Sequence, residues 1–114
     1  MFIKRMSRID RLVVKGKDEA LIRLAVKHKQ AVRLKALEGM ARLGGERCFE
    51  RAAACLNDPD PTVRCAAARA LYQMDGGKCR PAIEKQLRSE ADPQVRHALR
   101  EALEKNDGIL RGNP

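Results

Sequence analysis

The stretch Asp60-Pro61-Thr62-Val63-Arg64 returns 32 residues later as Asp92-Pro93-Gln94-Val95-Arg96. The match continues at the same offset, with Ala66, Ala67, Ala70 and Leu71 answered by Ala98, Leu99, Ala102 and Leu103. Self-similarity at this period marks a stacked-helix protein, in which each unit buries its apolar face against the next. The apolar spacing is helical throughout, and no useful length alternates with period two, so the pattern predicts an all-α fold without strands.

Glycines at 16, 44–45, 76–77 and 108 punctuate the chain and act as helix stop signals. A basic amphipathic helix is predicted over Phe2 to Val14, then helices at about 17–28, 30–43, 46–57, 61–74, 79–89 and 93–106. The architecture that follows is an α-solenoid of three helical hairpins preceded by one N-terminal capping helix, since a terminal unit has one side facing water. It forms one domain over 1–114, with a cap at 1–15, repeats at 17–45, 46–77 and 78–107, and a tail at 108–114. The first repeat is a degenerate copy. Shifted back by 31, Val63-Arg64 falls on Val32-Arg33 and Leu71 on Met40, but Asp60 and Pro61 fall on Lys29 and Gln30.

The repeated motif has a structural reading. Asp60 and Asp92 stand where an N-cap carboxylate accepts an orphaned backbone N–H and meets the positive end of the helix dipole. Pro61 and Pro93 occupy the first helical position, where a missing N–H costs nothing. Val63 and Val95 start the core stripe. Arg64 and Arg96, one turn beyond the caps, are placed to pair with the aspartate of their own or a neighbouring repeat.

Asp-Pro-x-x-Val-Arg followed by Ala-x-x-Ala-Leu resembles the HEAT-like repeat found in phycobilin lyase subunits and many small prokaryotic repeat proteins. The resemblance covers residues 58–106 closely and 17–45 loosely. It implies a solenoid whose second helices line a concave protein-binding face. HEAT-like deoxyhypusine hydroxylases hold two irons through His-Glu pairs, but here His28 precedes Lys29 and His97 precedes Ala98, so the resemblance carries over no metal ligands. HEAT-like DNA glycosylases use aromatic residues on a basic face, which this chain lacks.

Composition narrows the functions. Aromatics make up 3% of residues, with no Trp, one Tyr and two Phe, which disfavours recognition of bases by stacking. No apolar run of membrane-spanning length and no signal-peptide pattern is present, so a cytoplasmic protein is expected. Cys48, Cys55, Cys65 and Cys79 form no C-x-x-C pair and read as reduced thiols, most of them small core residues, with no metal expected. No histidine pairs in sequence with a nucleophile and no phosphate-binding loop occurs, so neither catalytic residues nor a cofactor are expected. One arrangement stands apart: Cys65 and His97 occupy equivalent positions of adjacent repeats.

The expected function is a non-enzymatic adaptor or scaffold that binds another protein along the second helices. Leu34, Leu37, Arg69, Tyr72 and Arg100 remain on those helices once core positions are removed, and they are the candidate partner-binding residues. The partner is expected to be acidic, or to present a helix or an extended segment, with the chain itself a monomer or weak homodimer and no membrane partner. Charge suggests an alternative. Residues 1–45 carry twelve Lys/Arg against four Asp/Glu, while residues 46–114 carry twelve against eleven. Arg5, Arg8, Arg11, Lys29 and Arg33 form a candidate basic patch for sequence-nonspecific nucleic-acid binding. Arg33 is expected to be the more available because Lys29 replaces its motif aspartate. An accessory subunit of a lyase-like complex is a further alternative, by resemblance alone.

Overall fold

The computed structural model describes residues 6–27 and 29–110. Seven α-helices follow one another in it: α1 (Arg8–Val14), α2 (Asp18–Lys27), α3 (Gln30–Leu43), α4 (Glu46–Ala54), α5 (Pro61–Met74), α6 (Arg80–Leu87) and α7 (Pro93–Leu110). A 3₁₀ turn, Cys55–Asn57, continues α4. No strand occurs among the described residues, and none of their helices is long and apolar enough to cross a membrane.

Local chemistry sets the helix starts. The Asp60 carboxylate accepts the Thr62 amide at 2.9 Å, with Pro61 behind it at the first helical position. Asp92 accepts the amides of Gln94 at 2.8 Å and Val95 at 3.1 Å. α3 has no such device: Lys29 is its N-cap and makes no side-chain cap bond. Gly44 and Gly45, at φ of 75° and 90°, turn the chain sharply from α3 into α4.

Two predicted boundaries differ. Ser7 is the N-cap of α1, in a capping box with Asp10, so Met6 and Ser7 precede the helix rather than lie within it. Residues 1–5, including Arg5, lie outside the described residues. At the other end, α7 runs through Gly108 to Leu110 where a tail was expected from 108. A glycine weakens a helix by about 1 kcal/mol relative to alanine but leaves its backbone hydrogen bonds intact.

The helices form two layers. α2 packs on α3, α4 on α5 and α6 on α7, while α3 also packs on α5 and α5 on α7. The first helices meet far less, with α2 touching α4 sparsely. In a two-layer stack the more closely spaced layer lies on the inside of the curve, so the α3–α5–α7 side is the concave one. The shared core holds Leu21, Leu37, Met40, Val63, Leu71, Ile83, Val95 and Leu99. Cys48 and Cys79, 31 residues apart, are fully buried at matching points in the first layer.

α1 seats on the stack through Gly39. A Cβ at that position would lie 2.8 Å from Ile9 Cγ2, 3.0 Å from Leu21 Cδ2 and 3.3 Å from Val13 Cγ2. A salt bridge of 2.8 Å from Arg42 to Asp10 ties the first turn of α1 to the last turn of α3. Were α1 a copy of α3 in register, its first turn would sit beside the first turn of α3. It is therefore a cap of its own geometry rather than an earlier repeat.

Two outcomes follow. Gly39→Val forces Ile9 and Val13 away, so amide exchange in α1 is expected to quicken about tenfold, equivalent to roughly 1.4 kcal/mol, with α5 and α7 unchanged. The Arg42 hydrogen bond, then the Ser7 amide, lower the Asp10 carboxyl from 3.8 to about 2. A depressed acid stabilises docking fully above its unfolded value and loses that contribution as pH falls through the folded one. The Ser7 and Asp10 amide resonances are expected to titrate together near pH 2, not near 3.8.

Candidate functional site

The concave face depends on how the repeats are joined. Arg64 in α5 donates from Nε and Nη2 to the two carboxylate oxygens of Glu90, at 2.8 and 3.0 Å. Its Nη1 donates to the carbonyls of Asp58 and Pro59 in its own loop. Glu90 is nearly sealed, its side chain 3% exposed, and it also accepts the Asp92 amide and the Gln86 side-chain amide. Burial raises its carboxyl, but the bonds from Arg64, the Asp92 amide and Gln86 outweigh that and hold it below 4.5. The carboxylate that meets Arg64 thus comes from the following repeat, two residues ahead of the motif aspartate.

The first repeat repeats this chemistry. Arg33 donates to both oxygens of Asp58, at 2.8 and 3.3 Å, and lies 3.7 Å from Asp60. Gln30 adds a 2.7 Å bond to Asp60. The expectation of a free Arg33 is therefore corrected: losing an aspartate at position 29 does not release it, because its partner belongs to the next repeat. Asp58 is one methylene shorter than Glu90 and engages Nη1 and Nη2, which leaves the buried Arg33 Nε without a partner.

Three grooves open on the concave side, one between each pair of neighbours. The α1–α3 groove is lined by Arg8, Ile9, Val32, Lys35, Glu38 and Arg42, with a volume of about 630 Å³. The α3–α5 groove, about 320 Å³, is lined by Leu34, Leu37, Glu38, Ala41, Thr62, Ala66, Arg69 and Gln73. The α5–α7 groove, about 450 Å³, holds Thr62, Cys65, Arg69, Asp92 and His97. Glu38 is common to the first two, and Thr62 and Arg69 to the last two, so the three form one continuous surface.

The candidate residues separate on this surface. Arg69 and Arg100 are exposed and have no ion pair among the described residues. Leu34 is half-buried on the groove wall. Tyr72 is half-buried against the core, with the Lys105 ammonium 5.6 Å from its ring. Leu37 also lines the α3–α5 groove but is only 1% exposed, so it is mostly core and offers a partner little surface. Second helices pack against each other as well as against first helices, and Leu37 lies in that second contact. On α1, Arg8, Arg11 and Lys15 face away from the packed side formed by Ile9, Leu12 and Val13, and all three are exposed. Lys29 is exposed at the start of α3.

Cys65 and His97 do share a groove. Burial pushes the Cys65 thiol up despite Arg69 beside it, the opposite of what a nucleophilic thiolate needs. No group of three or more His, Cys, Asp or Glu arranged to hold a metal occurs among the described residues.

A family model for HEAT repeats matches residues 18–104, most of the chain. The chain belongs to the HEAT repeat family. No curated protein matches it, and no solved structure does. HEAT repeats generally mediate contacts between proteins, and the clamped second helices are the elements of this HEAT protein that face the concave surface.

The clamp makes two measurable demands. Glu90→Gln removes one partner of a buried pair and is expected to cost about 3 kcal/mol in urea unfolding. Because the folded acid lies below its ordinary 4.5, that stabilisation is present above 4.5 and fades as pH falls through the folded value. Asp58→Glu lets the carboxylate reach Arg33 Nε and is expected to add about 1 kcal/mol, raising Tm by roughly 4–8 °C.

Proposed function

We propose that this HEAT protein is a non-enzymatic interaction module that takes a segment of another protein along its concave face. The observation that carries the reading is the continuity of the three grooves through Glu38, Thr62 and Arg69. A continuous trough across three helix steps, each about 10 Å, suits an extended chain or one helix. Its α3–α5 section has an apolar wall of Leu34, Ala41 and Ala66 with Arg69 at the rim. Arg69 makes no ion pair among the described residues, so it favours an acidic position in the partner.

The test is affinity capture with the intact chain against Arg69→Glu and Ala66→Glu. Both positions face the groove and neither belongs to the deep core, so unchanged helical circular dichroism is expected. Captured proteins are expected to be lost from both variants. Retention of the same set by both would overturn the reading.

A second reading is supported by the outward cations of α1. Arg8, Arg11 and Lys15 make no ion pair among the described residues, whereas Arg33 and Arg42 are engaged by Asp58 and Asp10. Three phosphate contacts imply a salt slope of roughly −3 in log K against log salt. Anisotropy of labelled RNA or duplex DNA across a salt series measures it, and Arg8→Glu with Arg11→Glu is expected to flatten it.

A further inference from the structure

The clamp that joins the repeats occurs a third time, half filled. Arg96 in α7 donates from Nη1 to the carbonyls of Leu87 and Glu90, at 3.0 and 2.9 Å. Arg64 holds Asp58 and Pro59 in the same way. In Arg64 the remaining Nε–Nη2 edge carries the Glu90 carboxylate. In Arg96 that edge meets no carboxylate among the described residues. Arg96 is half-buried and oriented by two carbonyls, so its free edge is a pre-organised fork for a carboxylate.

One turn on, Arg100 is exposed and also lacks an ion pair among the described residues. It occupies the position that Ala68, 0% exposed, holds on α5. An apolar helix cannot stack on α7 as α7 stacks on α5, because it would bury the Arg100 charge unpaired. A helix that brings carboxylates to both arginines has no such penalty. A second copy of this chain does not fit. The positions matching Asp58 and Asp60 in its first repeat are Lys27 and Lys29, and its α1 presents Arg8, Arg11 and Lys15.

We propose that the open face of α7 is a docking site for a helix of a different protein. Its preceding acidic loop places one carboxylate on Arg96, as Glu90 sits on Arg64, and a second acid meets Arg100. This site lies on α7, the last described helix, and is independent of the concave trough.

The probe is a labelled synthetic peptide copying residues 86–104 of this chain, the acid-bearing loop with its helix, titrated against the full chain. Saturable binding below about 1 mM is expected, weakened at least about tenfold by Glu90→Gln within the peptide. Arg96→Gln also loosens the loop that Arg96 holds, so Arg100→Gln is the decisive protein variant: the peptide's helix is the one that packs around Ala68 and leaves the Arg100 charge unpaired, so removing that charge is expected to strengthen its binding several-fold. The Nε–H resonance of Arg96 is expected to shift on binding. Equal binding of the two peptides, unchanged binding by Arg100→Gln, no binding at 1 mM, or shifts confined to Arg69 would each overturn the proposal.

Discussion

Everything in this stack rests on one arrangement: a guanidinium shared between the loop before its own helix and a carboxylate from the loop of the next repeat. Arg64 and Glu90 are both largely removed from water, with side chains 18% and 3% exposed. Two opposite charges at that depth are tolerable only when every polar atom is satisfied. Glu90 meets the condition through Arg64, the Asp92 amide and Gln86. The same contacts fix where α7 begins relative to α5, so the pair sets the register between repeats. Apolar contacts alone would leave that register softer, because alanine-rich seams offer few shapes that tell one offset from the next.

Close approach within the second layer is what the small residues supply. Ala67, Ala68 and Ala70 let α5 sit against both neighbours, and Gly39 does the same where α1 crosses α3. The first layer carries larger partners and wider spacing, with Lys78 reaching Glu46 at 2.6 Å and lying over the Phe49 ring at 4.5 Å. Unequal spacing curves the stack, and curvature turns separate grooves into a single trough. The candidate surface is thus a consequence of side-chain volume in the seams as much as of the residues that line it.

Most of this fold was legible in the chain. The Asp-Pro pairs marked the starts of α5 and α7 because capping and proline's fixed φ act within a few residues. What stayed hidden depends on distance along the chain. Glu90 and Asp58 stand outside the repeated motif, and each meets an arginine some 25 residues earlier, so motif reading supplied the arginine and missed its acid. Leu37 lies deeper under the groove than expected because one buried face was assigned to each second helix, whereas a middle helix of a stack has three. The signal was present in the series Leu37, Ala68, Arg100, apolar at inner steps and charged at the end. Gly39 gave no warning, since a glycine inside a helical pattern does not name the neighbour it admits. For the trough, the chain supplied Arg69 and Leu34 but not the continuity that joins them.

A repeat that carries half of each clamp gives the stack a direction. Every unit offers an arginine forward and an acid backward, so the two ends differ chemically even though the middle is uniform. At the start, Lys27 and Lys29 replace the backward acids and α1 closes the face with cations outward. At the finish, Arg96 keeps the forward half and Arg100 adds charge where a continuing stack places a small apolar residue. The same asymmetry leaves an ordered guanidinium edge on α7. An acidic partner can meet that edge without any rearrangement of the helices behind it.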